Sequence, residues 1–215
     1  MNIDKLGEKL VYCNLNCQGI NNNREKGIIP RCLVCEKRKG KNKSIVVGLN
    51  PGKCKSAERQ YYLKHGPSYR SVKNYFAEEG LCNRAYFKKI RELISFLGCN
   101  GDILWTELVK CECFGKNGIL PIQTSRVCIN RFLRKELELF NAQIIFAIGN
   151  VAFDFCALSF PDHFVVGVPH PTGAYGTFTK IRKRILKNLP HYIKILSKQK
   201  DDHGNYIAIH LSQIK

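Results

Sequence analysis

Two short loops in this sequence carry the side chains best suited to chemistry. The first is Gly48–Gly52, Gly-Leu-Asn-Pro-Gly, where two glycines and a proline restrict the backbone around Asn50. An amide can hold a water through its oxygen while its nitrogen donates elsewhere. The second loop places His170 between Pro169 and Pro171, which restrain it on both sides. A preorganised imidazole can stabilise negative charge on a leaving group, so the two loops together could support a hydrolysis.

Eleven cysteines supply a second candidate site. The chain shows no secretory signal, so disulfides are not expected and metal ligation is the usual alternative. The spaced pairs are Cys13 with Cys17, Cys32 with Cys35, and Cys111 with Cys128, 17 residues apart. Four thiolates suit either zinc or a 4Fe–4S cluster. One alternative groups Cys13, Cys17, Cys32 and Cys35 as a separate zinc site.

The elements that must position both loops are strands. The β-branched run Ile45–Val47 precedes the first loop, and Phe164–Val166 precedes the second. We expect strands over 44–49, 102–108, 143–149 and 163–168, and helices over 71–79, 84–97, 124–140, 151–158 and 177–197, the last interrupted at Pro190. Thr124 or Ser125 is the expected N-cap of its helix.

This alternation predicts an α/β fold, a three-layer α/β/α sandwich around a mostly parallel four-stranded sheet. A further edge strand is expected over 205–211. Ligands of open α/β sheets bind at the carboxyl ends of strands, so we expect both loops to face one pocket. We expect a single domain over residues 1–215, with a cysteine-rich N-terminal segment over 1–43.

The charge of the chain indicates a polyanionic partner. Its 35 Lys and Arg against 17 Asp and Glu give a formal net charge of +18, which favours nucleic acid. No apolar run is long enough for a transmembrane helix, so we expect no membrane partner. We expect a cytoplasmic monomer, associated with the nucleoid if the protein is prokaryotic.

Together these motifs resemble those of the uracil-DNA glycosylase superfamily. The first loop is similar to the first motif of the mismatch-specific and single-strand-selective branches, and His170-Pro171-Thr172 is similar to the second motif. The Lys110-Cys111 pair, Cys128 and the Ile144–Gly149 strand resemble the iron–sulfur members of families 4 and 5. Overall the resemblance covers roughly residues 28–188.

The resemblance implies a role for each matched residue. Asn50 places the hydrolytic water, His170 donates to O2 of the departing base, and Gly48 and Leu49 line the base pocket. Tyr62, preferred by spacing over Tyr61, stacks on the base. DNA would contact the loop after His170 and the basic run that follows it, namely Thr172, Ala174, Tyr175, Lys180, Arg182, Lys183 and Arg184. A 4Fe–4S cluster would bind Cys32, Cys35, Cys111 and Cys128, with Cys13 and Cys17 as the alternative pair.

One position departs from the family pattern. Glu107 stands where many members carry the Asn that reads the uracil edge. An ionised Glu can only accept hydrogen bonds, so it would repel O4 of uracil. Either the pocket prefers another base, or burial protonates Glu107, or this side chain does not reach the base.

The sequence therefore predicts a monofunctional DNA glycosylase. It would hydrolyse the N-glycosidic bond of a flipped-out damaged base, uracil or a related deaminated base, in DNA repair. No catalytic metal or nucleotide cofactor is needed. Two alternatives are a catalytically silent nucleic-acid-binding protein that keeps the fold and cluster, and a zinc-ribbon protein that binds nucleic acid.

Overall fold

The structure is a computed structural model, and it describes residues 1–31, 33–114, 120–142, 144–173 and 176–214. Its strands are β1 Ile20–Asn21, β2 Leu33–Glu36, β3 Ser44–Gly48, β4 Ile103–Glu107, β5 Glu112–Cys113, β6 Ile144–Ile148, β7 Phe164–Val168 and β8 Ala208–His210. Its α-helices are α1 Ile3–Val11, α2 Ser56–His65, α3 Tyr69–Tyr75, α4 Leu81–Asn83, α5 Ala85–Phe96, α6 Ile122–Cys128, α7 Arg134–Phe140, α8 Asn150–Ser159, α9 Thr177–Lys187 and α10 Leu189–Ser197.

A six-stranded sheet, ordered β2-β4-β3-β6-β7-β8, organises the fold. The pairs β3–β6, β6–β7 and β7–β8 are parallel. This mostly parallel sheet with flanking helices confirms the predicted fold class. The four predicted core strands are all present, and β8 is the predicted edge strand. At the other edge β2 was not predicted, because its Leu-Val-Cys-Glu stretch lies inside the cysteine-rich segment.

Continuous apolar runs explain the central strands. All five residues of β3 and of β7 are buried, and Ile45, Val46 and Val47 are at most 1 % exposed. A parallel strand that is covered on both faces needs apolar side chains in both directions, so it shows no alternation with polar residues. These strands therefore hold rigidly the residues that follow them.

The chain divides into two compact units. The first unit comprises Met1–Val34, Gly48–Gly80 and Trp105–Asn141. Within it α1 packs against α3 and α7, and β1 pairs antiparallel with β5. The second unit comprises Cys35–Val47, Leu81–Leu104 and Ala142–Lys215. Within it α8 packs on β6 and β7. That the whole chain acts as a single domain stays a prediction.

Two helix details differ from expectation. The helical run over 124–140 begins at Ile122, after Pro121, so the predicted N-cap at Thr124 or Ser125 is wrong. Thr124 instead lies inside α6, where its hydroxyl donates to the carbonyl oxygen of Gln18 at 2.8 Å. The basic helix breaks at Asn188 rather than at Pro190, because proline is tolerated in the first turn of the new helix.

The N-terminal segment is more ordered than its composition suggested. Helix α1 begins after Asn2, whose side chain accepts a hydrogen bond from the backbone of Lys5 at 2.9 Å, and it buries Leu6, Leu10 and Val11. Among the described residues, no helix combines the length and the apolar character needed to cross a bilayer.

Candidate functional site

The strands that precede the two candidate loops, β3 and β7, are parallel members of one sheet. In the second unit Val47 is paired with Ala147, which is paired in turn with Gly167. Because β3, β6 and β7 are parallel, the strands before the two loops end on one side, separated only by β6. Neighbouring strands lie about 4.8 Å apart, so these two strand ends stand about 10 Å apart. That the side chains of Asn50 and His170 meet stays a prediction.

The first loop is held by backbone hydrogen bonds within the first unit. The carbonyl oxygen of Gly48 accepts from Leu108 at 2.8 Å, and that of Leu49 accepts from Val109 at 3.0 Å. The side chain of Asn50 is half-buried, and its Nδ2 donates to the carbonyl oxygen of Pro51 at 3.1 Å. Because the amide nitrogen is engaged in this way, Oδ1 is the atom that can accept from a water.

A buried ionic network, which the sequence analysis missed, fixes the far end of this loop. Arg31 donates through Nη2 to the carbonyl oxygen of Gly52, and its Nε lies 2.9 Å from Glu58. Glu112 lies 3.7 Å from the same guanidinium and accepts from the backbone nitrogen of Cys54 at 2.6 Å. The arginine and both glutamates are almost fully buried, so they act as a rigid anchor beside the loop.

Glu107 ends β4 against the start of the loop. Its Oε2 is buried and has no hydrogen-bond partner among the described residues. A Cβ placed on Gly48 would collide with this carboxyl group, so a larger residue there would force the carboxyl group to move. Burial raises the pKa of Glu107 to about 8, although Lys110 and Arg31 act to lower it. The carboxyl group is therefore mostly protonated at neutral pH.

Lys110 fixes the end of β4 through hydrogen bonds and an ion pair. Its side chain is 1 % exposed, and its ammonium nitrogen lies 2.7 Å from Oε2 of Glu136. It also donates to the hydroxyl of Thr106 and, at 2.6 Å, to the carbonyl oxygen of Glu107. All three ammonium protons thus have acceptors, and the backbone of Glu107 is fixed by one of them.

Tyr62, the residue expected to stack on the base, is buried. It is 0 % exposed, and its hydroxyl donates to Glu58 at 3.1 Å. Its ring packs edge-on against Tyr75, with centroids 5.8 Å apart. Stacking on a base would need a ring surface that Tyr62 does not expose in this structure. Tyr61 is only half-buried, and its ring lies 4.4 Å from that of His65.

In the second unit His170 has a defined protonation pattern. Its Nδ1 accepts from the backbone nitrogen of Thr172 at 3.3 Å and lies 3.0 Å from the hydroxyl of Thr172. A backbone N–H can only donate, so the neutral ring carries its proton on Nε2. Desolvation lowers the pKa of His170, and its ring lies 5.5 Å from that of Tyr86, although the residue as a whole is exposed. The arrangement favours a neutral donor.

The structure separates the predicted DNA contacts into two groups. Arg182 pairs with Glu92 at 2.5 Å, and Arg184 donates to the carbonyl oxygen of Leu211 at 2.8 Å, so both support the second unit. Lys180 and Lys183 are exposed on α9. Thr172 is exposed but orients His170. Ala174 and Tyr175 lie outside the described residues.

Four cysteines line one apolar cavity of the first unit, namely Cys13, Cys17, Cys111 and Cys128. Burial raises the pKa of the Cys111 thiol, and the three other thiols add to the rise. Burial likewise raises the pKa of Cys128 to about 11. Within the described part of the chain, no group of three or more His, Cys, Asp or Glu side chains is arranged to hold a single metal ion.

Neither of the two other predicted ligands, Cys32 and Cys35, is among the residues that line this cavity in the described part of the chain. Cys32 lies outside the described residues, so its placement stays open to measurement. Cys35 belongs to the second unit, where its charged neighbours are Lys37, Asp102, Lys43 and Glu36. The structure thus gathers the alternative pair, Cys13 and Cys17, with Cys111 and Cys128.

Comparison with known proteins agrees with the geometry. A family model described as the uracil DNA glycosylase superfamily matches residues 38–197, which include both loops, Glu107, Cys111 and Cys128. A search of curated proteins returned no match. The family model covers most of the chain, including the strands that precede Asn50 and His170, and so this chain belongs to the uracil DNA glycosylase superfamily.

Proposed function

We propose that this protein is a DNA glycosylase that hydrolyses the N-glycosidic bond of uracil, or of a related deaminated base, flipped out of DNA. Superfamily membership points to glycosylase activity on DNA in general. The observation that supports the finer proposal is that β3 and β7, the strands that precede Asn50 and His170, run parallel with β6 alone between them.

The proposed reaction uses the two loops for different halves of the substrate. Extruding the nucleotide costs a few kcal/mol, which binding must supply. As the glycosidic bond breaks, the sugar becomes oxocarbenium-like and the base takes up negative charge. His170 donates from Nε2 to O2 of the base, and a neutral imidazole can do so without losing its proton. Asn50 accepts from the attacking water through Oδ1 and directs its oxygen to C1′ of the sugar.

Supporting residues keep these groups in place. Arg31 anchors Gly52 and Lys110 anchors the carbonyl of Glu107, so the first loop and the end of β4 have fixed positions. Thr172 orients the His170 ring. Lys180 and Lys183 are the proposed phosphate contacts, because Arg182 and Arg184 are occupied within the protein. Stacking by Tyr62 is left out of the proposal because its ring is fully buried.

Four cysteines around one apolar cavity form a donor set that suits an iron–sulfur cluster, because a cubane cluster takes one thiolate at each of its four irons. We propose Cys13, Cys17, Cys111 and Cys128 as the ligands of a 4Fe–4S cluster. The cluster would be structural, tying the N-terminal segment to the rest of the first unit.

The test is excision from oligonucleotides. Purified protein is incubated with single- and double-stranded DNA containing uracil, hypoxanthine or a modified cytosine, and cleavage at the resulting abasic site is quantified under single-turnover conditions. We expect release of uracil, and a loss of about 100-fold or more in the Asn50→Ala and His170→Ala variants with oligonucleotide binding retained. A wild-type protein that binds DNA but releases no base would support the catalytically silent alternative.

A further inference from the structure

The carboxyl group of Glu107 is desolvated, and the two cations near it are already paired with other carboxylates. Two cations, Arg31 and Lys110, stand near it. Arg31 pairs with Glu58 and Glu112, and Lys110 pairs with Glu136. Ionising Glu107 would therefore place a fourth carboxylate opposite two cations in a largely desolvated region, which is unfavourable.

The geometry of the carboxyl group adds a second observation. Oε2 is buried without a hydrogen-bond partner among the described residues, so neither cation donates to it. A buried carboxylate oxygen with no donor is rare, whereas a neutral acid group tolerates the same position at lower cost. In its present position the group occupies the space that a Cβ at position 48 would take. The carboxyl is thus built against the loop that carries Asn50.

We infer that Glu107 acts as a neutral carboxylic acid that donates a hydrogen bond to a carbonyl oxygen of the substrate base. This inference rests on the proposed function, and it names the class of base. An acid O–H matches the exocyclic oxygen of a deaminated base such as uracil or hypoxanthine, whereas a carboxylate would require an exocyclic amine. The raised pKa of Glu107 agrees with this assignment.

The inference predicts how excision depends on pH. Above its pKa, Glu107 loses the donated proton, and its charge then faces the oxygen of the base. The excision rate of the wild type should therefore fall by about tenfold for each pH unit beyond that point. Glutamine has nearly the same shape and donates at every pH, so the excision rate of Glu107→Gln should not show this decrease at high pH. Ionisation of the base itself affects both proteins equally and cancels in their ratio.

The experiment measures single-turnover release of uracil at about pH 6 and pH 9 by the wild type and by Glu107→Gln. We expect the wild-type rate to drop at least about tenfold relative to the variant, whose two rates differ by about twofold or less. Parallel pH profiles would overturn the inference. So would a wild-type protein that prefers an amine-bearing cytosine analogue and releases it faster as the pH rises.

A second readout does not depend on turnover. The infrared difference spectrum between wild type and Glu107→Gln at neutral pH should contain the carbonyl stretch of a protonated carboxylic acid, lost as the pH rises to about 9. Absence of that band would refute the neutral state of Glu107 even if excision is observed. Conversely, a protein with the band but without any base release would refute the proposed function, and with it the contact to the base, while leaving the protonation state intact.

Discussion

Replacing Glu107 by glutamine should stabilise the protein by an amount that grows with pH. The carboxyl pKa rises from 4.5 to about 8 in the folded protein. Between these values the native state holds a proton that the unfolded chain has released, so the free energy of unfolding falls as the pH rises. The shift corresponds to about 5 kcal/mol in total, or about 1.4 kcal/mol for each pH unit. At pH 7 the burial of Glu107 should therefore lower the free energy of unfolding by about 3 kcal/mol relative to its value at low pH.

The assay is urea denaturation of wild type and Glu107→Gln at about pH 5, 6, 7 and 8. The amide of glutamine adds its own desolvation cost, but that cost does not change with pH, so the slope of the difference is the measured quantity. Glu138→Gln is the matched control, because Glu138 is exposed on α7 of the same unit. For the control, we expect the difference in free energy of unfolding from the wild type to stay constant with pH. If the difference between wild type and Glu107→Gln is also constant with pH, burial does not raise the pKa of Glu107 and the reasoning is refuted.

Three further perturbations have defined outcomes. Arg31→Met should lower the free energy of unfolding by about 3–5 kcal/mol in urea, because it removes the buried cation that two buried carboxylates share, and an unaffected midpoint would contradict the network. Cys111→Ser should abolish bound iron and visible absorbance while Cys35→Ser retains both, and the reverse result would restore Cys35 as a ligand. Replacing Lys180 and Lys183 by glutamine should weaken oligonucleotide binding and reduce the salt dependence of log K by about 1.5 to 2, whereas an unchanged slope would exclude these phosphate contacts.

The sequence was sufficient for five of the six strands of the sheet, because their signals are local. Runs such as Ile45–Val47 and Phe164–Val166 are apolar on both faces, and glycine or proline follows each strand. The sequence did not predict the strand order, which puts β3 and β7 on either side of β6. Helix α2 was missed because its apolar residues do not follow helical spacing, and tertiary packing decides its conformation.

The site was predictable where a side chain acts from a loop, and unpredictable where charges meet in the core. Arg31, Glu58 and Glu112 lie in three separate segments, and nothing in their spacing indicates one buried network. Tyr62 shows the converse case. Its distance along the chain from the first loop suggested that it stacks on the base, but its ring is buried in the core. For Glu107 the sequence left three interpretations, and the lack of a partner for Oε2 among the described residues favours protonation by burial.

The central claim is that Asn50 and His170 act on the same glycosidic bond. A crystal structure with an oligonucleotide that contains 2′-fluoro-deoxyuridine, which resists hydrolysis, tests this claim most directly. We predict the extruded uracil with O2 about 3 Å from Nε2 of His170, and a water within about 3 Å of Oδ1 of Asn50 that faces C1′. A bound nucleotide that contacts only one of these two side chains, or neither, would contradict the account.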